Sequence, residues 1–188
     1  MDKKKDNFLK EFFKERKTVG AIRPSSKSLA KKMLKNVDFN DAKIIVEYGP
    51  GTGVFTRRII EEMKPDAMLY VFELHEPFFL KLQKEFENDE RVKIIFDSAV
   101  EVRKYLEKDN HESADVILSS LPLTNFDQKL TMRILKSAEM ALKSGGNYIQ
   151  FQYSLNARKL LMKIFNTIDI QFTVNNLPPA FVYTCKKK

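Results

Sequence analysis

The chain has 188 residues with 43% hydrophobic content and a formal net charge of +8, enough for one domain with a sizeable core. Its single cysteine, Cys185, excludes an internal disulfide, and two isolated histidines, His75 and His111, give a metal site little support. No apolar run approaches the roughly 18–20 residues that span a bilayer, and the start of the chain is too densely charged for a signal-peptide core, so a cytoplasmic protein is expected.

The charge is uneven. Residues 1–36 hold 12 of the 33 basic residues and 4 of the 25 acidic ones, so the excess lies in an N-terminal arm and the remainder is balanced. The arm is expected over 1–37 and the main domain over 38–188. Within the arm, Phe8, Leu9, Phe12 and Phe13 share one face of a helical pattern opposite Lys10 and Lys14. A second segment follows Pro24, capped by Ser25 or Ser26. There Leu29, Ala30, Met33, Leu34 and Val37 form one face, expected to pack as core, with Lys31, Lys32 and Lys35 on the other.

From residue 43 onward, β-branched runs alternate with helical patterns. Strands are predicted over 43–48, 68–74, 92–96, 115–120 and 147–153, with helices near 54–63, 76–88, 99–107 and 127–143. That order implies an α/β, Rossmann-like, mostly parallel sheet with helices on both faces. Residues 168–174 and 180–185 flank "NNLPP" and read as a C-terminal antiparallel hairpin, making seven strands.

The first strand ends in "EYGPGTG". Gly49, Gly51 and Gly53 open the following helix, the position where open α/β sheets bind ligands. A dinucleotide site of the G-x-G-x-x-G form needs a small residue at 54, where Val54 stands. Glu47 just before the turn suits a cationic nucleoside, S-adenosylmethionine, rather than a pyrophosphate. Glu73, followed by Leu74, lies about 20 residues past the last glycine, the spacing of an acid that takes ribose hydroxyls. Asp97-Ser98-Ala99 ends strand 3, where the aspartate can accept from the adenine amino group. Strand 4 ends in Ser119-Ser120-Leu121-Pro122, beside the expected place of the transferable methyl, so Ser119 is a candidate on both sides. Tyr153 at the end of strand 5, with Ser119 and Ser120, is a candidate to orient or deprotonate an acceptor amine. Each feature alone has a plainer reading: a tight turn, a solvated acid, a helix cap at Ser98 or a loop-breaking proline. Their succession at four consecutive strand ends argues for the cofactor.

Residues 43–185 resemble the class I methyltransferases. A narrower resemblance, to the bacterial phospholipid N-methyltransferases, is carried by Gly20, Ala21, Pro24, Ser25 and Ser26, by Ser119, Leu121, Pro122 and Leu123, and by Asn176, Pro178, Pro179 and Ala180. Ser120 departs from it, standing where that family commonly has glycine. The resemblance implies methylation of the amine of phosphatidylethanolamine-type lipids, with S-adenosylmethionine consumed and S-adenosylhomocysteine released. It also implies a peripheral enzyme, expected as a monomer, docking on anionic phospholipid at the inner face of the membrane. Residues 8–17 would dock there, Lys17 joining Lys10 and Lys14.

The ribosomal RNA adenine dimethyltransferases share the glycine turn and acids. They use an Asn-x-Pro-aromatic loop, however, where this chain has Ser119 or Ser120 for the amide and Leu123 for the ring. They also carry a helical C-terminal domain, whereas this sequence stops at Lys188. Nucleic acid is therefore the alternative partner, and non-catalytic S-adenosylmethionine binding the remaining alternative.

Overall fold

A computed structural model describes residues 27–174, 176 and 178–188. The first arm segment and its Phe8, Leu9, Phe12, Phe13, Lys10, Lys14 and Lys17 lie outside the described residues, as do Gly20, Ala21, Pro24, Ser25 and Ser26.

Seven strands form one sheet in the order β3-β2-β1-β4-β5-β7-β6. They are β1 (Ile44–Tyr48), β2 (Met68–Phe72), β3 (Val92–Ile95), β4 (Ala114–Ser119), β5 (Leu142–Gln152), β6 (Thr167–Thr173) and β7 (Ala180–Lys186). β1 to β5 pair in parallel, and β7 runs antiparallel between β5 and β6. The helices are α1 (Lys27–Leu34), α2 (Val54–Glu62), α3 (Glu76–Glu85), α4 (Val102–Lys108), α5 (Gln128–Ala141) and α6 (Arg158–Ile164).

Alternation along each strand feeds two cores. On one face Ile45, Leu69, Val71, Leu118 and Ile149 pack against Leu29, Met33 and Leu34 of α1 and Phe55 and Ile59 of α2. On the other, Val46, Tyr48, Tyr70, Phe72, Ile117 and Tyr148 meet Leu106 of α4, Leu135 and Ala138 of α5 and Leu161 of α6. Helices thus cover both faces, and the ligand-side loops all leave the same end of the sheet.

Element ends differ from the sequence reading by one to three residues in most cases, and the structure departs from it further in the following respects. β5 starts at Leu142, not 147, because Gly145 and Gly146 sit inside the strand at a register shift in its pairing with β4. Gly145 has φ +73°, and a Cβ on Gly146 would lie 2.9 Å from the Lys143 carbonyl oxygen. Glycines in a strand mark such irregularities as readily as turns. The helix predicted over 99–107 begins as a 3₁₀ turn, Ala99–Glu101, whose Ser98 cap accepts from the Val100 amide. Between β5 and the hairpin, where no element is predicted, the chain forms a 3₁₀ turn, Leu155–Ala157, and then α6.

Candidate active site

The turn after β1 is held from three directions. Gly51, at φ +55°, has nothing within 4 Å of where a Cβ would stand, so backbone conformation and an open cleft above it set the requirement for glycine. Its amide donates to Glu73 Oε2 at 3.0 Å. Gly49 is required by close approach, since a Cβ there would meet Leu121 Cδ2 at 2.9 Å. Gly53 caps α2 in the left-handed conformation. Arg57 on α2 donates to the Thr52 carbonyl at 3.0 Å and forks onto Glu85 of α3 at 2.5 and 2.7 Å. Neither Arg57 nor Glu85 stands out in the sequence, because their pairing spans two helices.

Glu47 is the least compensated group in the cleft. It is 1% exposed, on the α1/α2 side of β1, and neither carboxylate oxygen has a hydrogen-bond partner among the described residues. Burial pushes its pKa up to about 8, Thr56 and Arg57 pull it back only in part, and the Glu73 charge adds to the rise. A buried carboxyl in this condition is neutral at physiological pH until a cation arrives.

Glu73 and Leu74 lie just past β2. The Glu73 carboxylate is buried and holds two backbone amides, Gly51 through Oε2 and His75 through Oε1 at 2.8 Å. It therefore fixes the glycine turn and the start of α3 together. Leu74 is half-buried. Past β3, Asp97 accepts from the Ser98 amide at 2.7 Å and the Tyr105 hydroxyl at 3.0 Å, with Ala99 buried beneath. The β3-β2-β1 order brings Asp97, Glu73 and the glycine turn onto three adjacent strand ends.

Across β1 from these acids lies the loop after β4. The Ser120 amide donates to the Tyr48 carbonyl at 2.9 Å, and the Leu121 side chain rests over Gly49. The Leu121 carbonyl accepts from two side-chain amides, Gln150 Nε2 at 3.0 Å and Gln152 Nε2 at 2.9 Å. A carbonyl oxygen has two lone pairs, so this one is fully engaged. Gln150 also donates to the Phe151 carbonyl and accepts from Tyr148 Oη at 2.8 Å. Burial raises the Tyr148 pKa and keeps it a neutral donor, with a hydrogen bond from Ser119 acting the other way.

Ser119 is thus wholly buried inside this network, its Oγ also accepting from the Leu121 amide at 3.3 Å. Ser120, Leu121 and Pro122 are partly open. Leu123, at 1% exposed, points into the core. Tyr153 sits one strand over, past the end of β5, 47% exposed and edge-on to Phe151. Gln150 and Gln152 are the site residues that the sequence reading misses. Their signal was two amides at i and i+2 alternating with Ile149 and Phe151 in the buried second half of the strand. In the hairpin, Asn176 donates to the Pro178 carbonyl at 2.7 Å, with Pro178 and Pro179 exposed and Ala180 buried.

Among the described residues no group of three or more His, Cys, Asp or Glu gathers to hold a metal ion. No helix there is long and apolar enough to cross a membrane.

The family model for ribosomal RNA adenine dimethylase matches residues 12–167. The chain belongs to that family. It is an S-adenosylmethionine-dependent methyltransferase on the class I, Rossmann-like fold. An ornithine lipid N-methyltransferase from Singulisphaera acidiphila is 27% identical over 95% of this chain and 94% of that protein. A probable ribosomal RNA small subunit methyltransferase A from Methanococcus vannielii is 33% identical, over 47% of this chain and 32% of that one. The solved N-methyltransferase NodS from Bradyrhizobium japonicum, bound to S-adenosylhomocysteine, shares the fold. Its TM-score is 0.67 at 10% identity, covering 86% of this chain and 85% of that one.

The residues present fit S-adenosylmethionine. The orphaned Glu47 carboxyl answers a positively charged ligand, and the open space above Gly51 lets the ligand approach the backbone. Glu73 and Asp97 line the adjacent strand ends as acceptors for hydroxyl and amino hydrogens.

Proposed function

We propose that this methyltransferase acts on the amine of an aminolipid, of the phosphatidylethanolamine or ornithine-lipid type, at a membrane surface. The observation that carries the reading is the filled carbonyl of Leu121. Adenine N-methylation in the related enzymes relies on a loop amide, a loop carbonyl and an aromatic ring. Here the amide is replaced by serine, the Leu121 carbonyl already holds two glutamine amides, and Leu123 is buried out of reach of a base. A small flexible amine needs none of these platforms. The similarity to the ornithine lipid enzyme over nearly the full length of both chains supports the same reading.

In this mechanism the cofactor supplies the electrophilic methyl group, and the protein aligns and desolvates the acceptor. Glu47 would meet the cationic end of the cofactor, Glu73 would hold the ribose and Asp97 the adenine. Leu121 packs against Gly49, setting the loop's distance from the cofactor turn. Ser120, the open hydroxyl of the loop, accepts a hydrogen from the amine and orients its lone pair. The amine gives up its proton before attack, and Tyr153, being exposed, leaves bulk water as the sink.

The membrane contact draws on two regions. Residues 8–17 carry the basic amphipathic pattern. In the described part, Tyr153, Leu155, Phe172 and Val174 are exposed at the carboxyl ends of β5 and β6, and Lys32 donates to the Phe172 carbonyl at 3.1 Å. An apolar rim with lysine beside it suits an anionic bilayer. Exchange of Phe12 and Phe13 for Asp is expected to abolish vesicle co-sedimentation while cofactor affinity holds; unchanged sedimentation removes the arm from the account. The function itself is tested with labelled S-adenosylmethionine, aminolipid vesicles and ribosomal RNA in one reaction. Label in the organic extract is expected. Label in the RNA would establish the nucleic-acid alternative, and label in neither would leave cofactor binding without turnover.

A further inference from the structure

Helix α6 and the edge strand β6 enclose a groove of about 320 Å³ lined by Arg158, Met162, Phe165, Asn166, Ile168 and Ile170. Strand alternation builds its floor. Ile168, Ile170 and Phe172 share one face of β6, opposite Cys185, Tyr183 and Phe181 of β7. Phe165 closes the far end, stacked on Tyr148 with ring centroids 5.2 Å apart. Met162 forms the outer lip and is 57% exposed.

Of the six lining residues only Arg158 is charged. It opens α6 directly after the turn that leaves the carboxyl end of β5, on the side of the sheet that carries the site. It makes no ion pair among the described residues, and its charge acts on the Tyr183 hydroxyl. The groove also leads toward the site. Phe172 packs on Phe181 with centroids 4.9 Å apart, Phe181 pairs with Gln152, and Gln152 holds the Leu121 carbonyl.

We propose that this groove is a lipid-chain subsite: it takes one alkyl chain of an anionic amphiphile, with Arg158 on its phosphate or carboxylate. The proposal rests on the aminolipid reading of the site and adds where the acceptor is gripped. A groove whose apolar lining is Met162, Phe165, Ile168 and Ile170, and whose one charged group is an exposed guanidinium with no ion pair among the described residues, matches one chain and one anion, the two halves of a lipid molecule. The chain fixes the acceptor laterally, so the amine reaches the β4 loop from the β5–β7–β6 side, opposite the acids that hold the cofactor.

The test uses the full chain and a soluble probe, decyl phosphate below its micelle concentration, with hexyl phosphate and inorganic phosphate as controls. Methyl spectra of Ile168 and Ile170 are expected to shift saturably with decyl phosphate and not with inorganic phosphate. Affinity should rise about fourfold for each methylene from hexyl to decyl. Arg158→Gln should weaken binding roughly tenfold. Met162→Trp, at an exposed position that tolerates the larger ring, should abolish it while S-adenosylmethionine affinity stays constant. Absence of saturable shifts, independence of chain length, or equal binding in Met162→Trp would each overturn the subsite. Because this readout needs no methyl transfer, binding of decyl phosphate by a protein that methylates no lipid would sink the functional reading and leave the groove. Lipid methylation at an unaltered rate in Met162→Trp would do the reverse.

Discussion

The two halves of the ligand-side edge are built in different ways. On the β1–β2–β3 side, the cleft is made by backbone turns and by carboxylates a residue or two beyond a strand. Glu73 holds Gly51 and His75 amides, and Asp97 holds that of Ser98. On the β4–β5–β7–β6 side, it is made by side chains that reach across strands: Gln150 and Gln152 to Leu121, and Tyr183 Oη to the Ser154 carbonyl at 3.0 Å. Short-range construction suits a cofactor whose shape never changes. Cross-strand contacts on the acceptor side can change without altering the glycine turn, and a shared fold therefore leaves the acceptor open.

Substitutions on the two sides should fail differently. Glu73→Ala should cost most, because it removes two charge-assisted hydrogen bonds of about 1.5–3 kcal/mol each from the turn itself. Calorimetry should show S-adenosylmethionine affinity lowered at least about a hundredfold, and unchanged affinity would take Glu73 out of the cofactor site. Gln152→Leu acts on the other side. It leaves the Leu121 carbonyl with one amide partner and loosens the acceptor loop, so kcat should fall roughly tenfold to a hundredfold with cofactor affinity constant. A fall in both together would mean that the halves are not separable.

Glu47→Gln is read as stability against pH. The native carboxyl keeps its proton up to about 8, against an ordinary value of 4.5. Between those values the unfolded chain has lost a proton that the native chain retains. Stability of the ligand-free protein should therefore fall as pH rises through this window, by up to roughly 1.4 kcal/mol per pH unit. The Gln variant should lose that component of the slope in denaturant titrations at pH 5 and pH 8, whereas parallel slopes would mean Glu47 is already compensated. The smallest effect is expected for Tyr153→Phe, whose exposed hydroxyl lies off the loop; kcat within about twofold of the parent fits this placement, and a large loss would make it a proton acceptor.

Legibility in the sequence followed the same division. The positive-φ turn at Gly49, Gly51 and Gly53 and the place of Glu73 and Asp97 just past their strands could be read because local spacing alone sets them; the Glu73 contact with Gly51, across two strands, could not. Ser119 could be placed at a strand end, but its burial beneath the loop depends on Tyr148 and Gln150, contributed by another strand. Gln150 and Gln152 were hidden because which face they share, and what lies above it, requires the β4–β5 register. That register is interrupted at Gly145 and Gly146, which lie between the predicted helix and the predicted strand. The short α6 was hidden for a related reason: seven residues with no side-chain cap carry little helical signal of their own, and packing of Leu161 into the core completes it.

The most direct test of the acceptor assignment is a paired mass-spectrometric profile of lipids and small-subunit ribosomal RNA. The host is a bacterium with aminolipids but no methylated ones, expressing this chain. The account predicts N-methylated aminolipids and an RNA methylation pattern identical to the empty host. New dimethyladenine in the RNA, with the lipids unchanged, would contradict it.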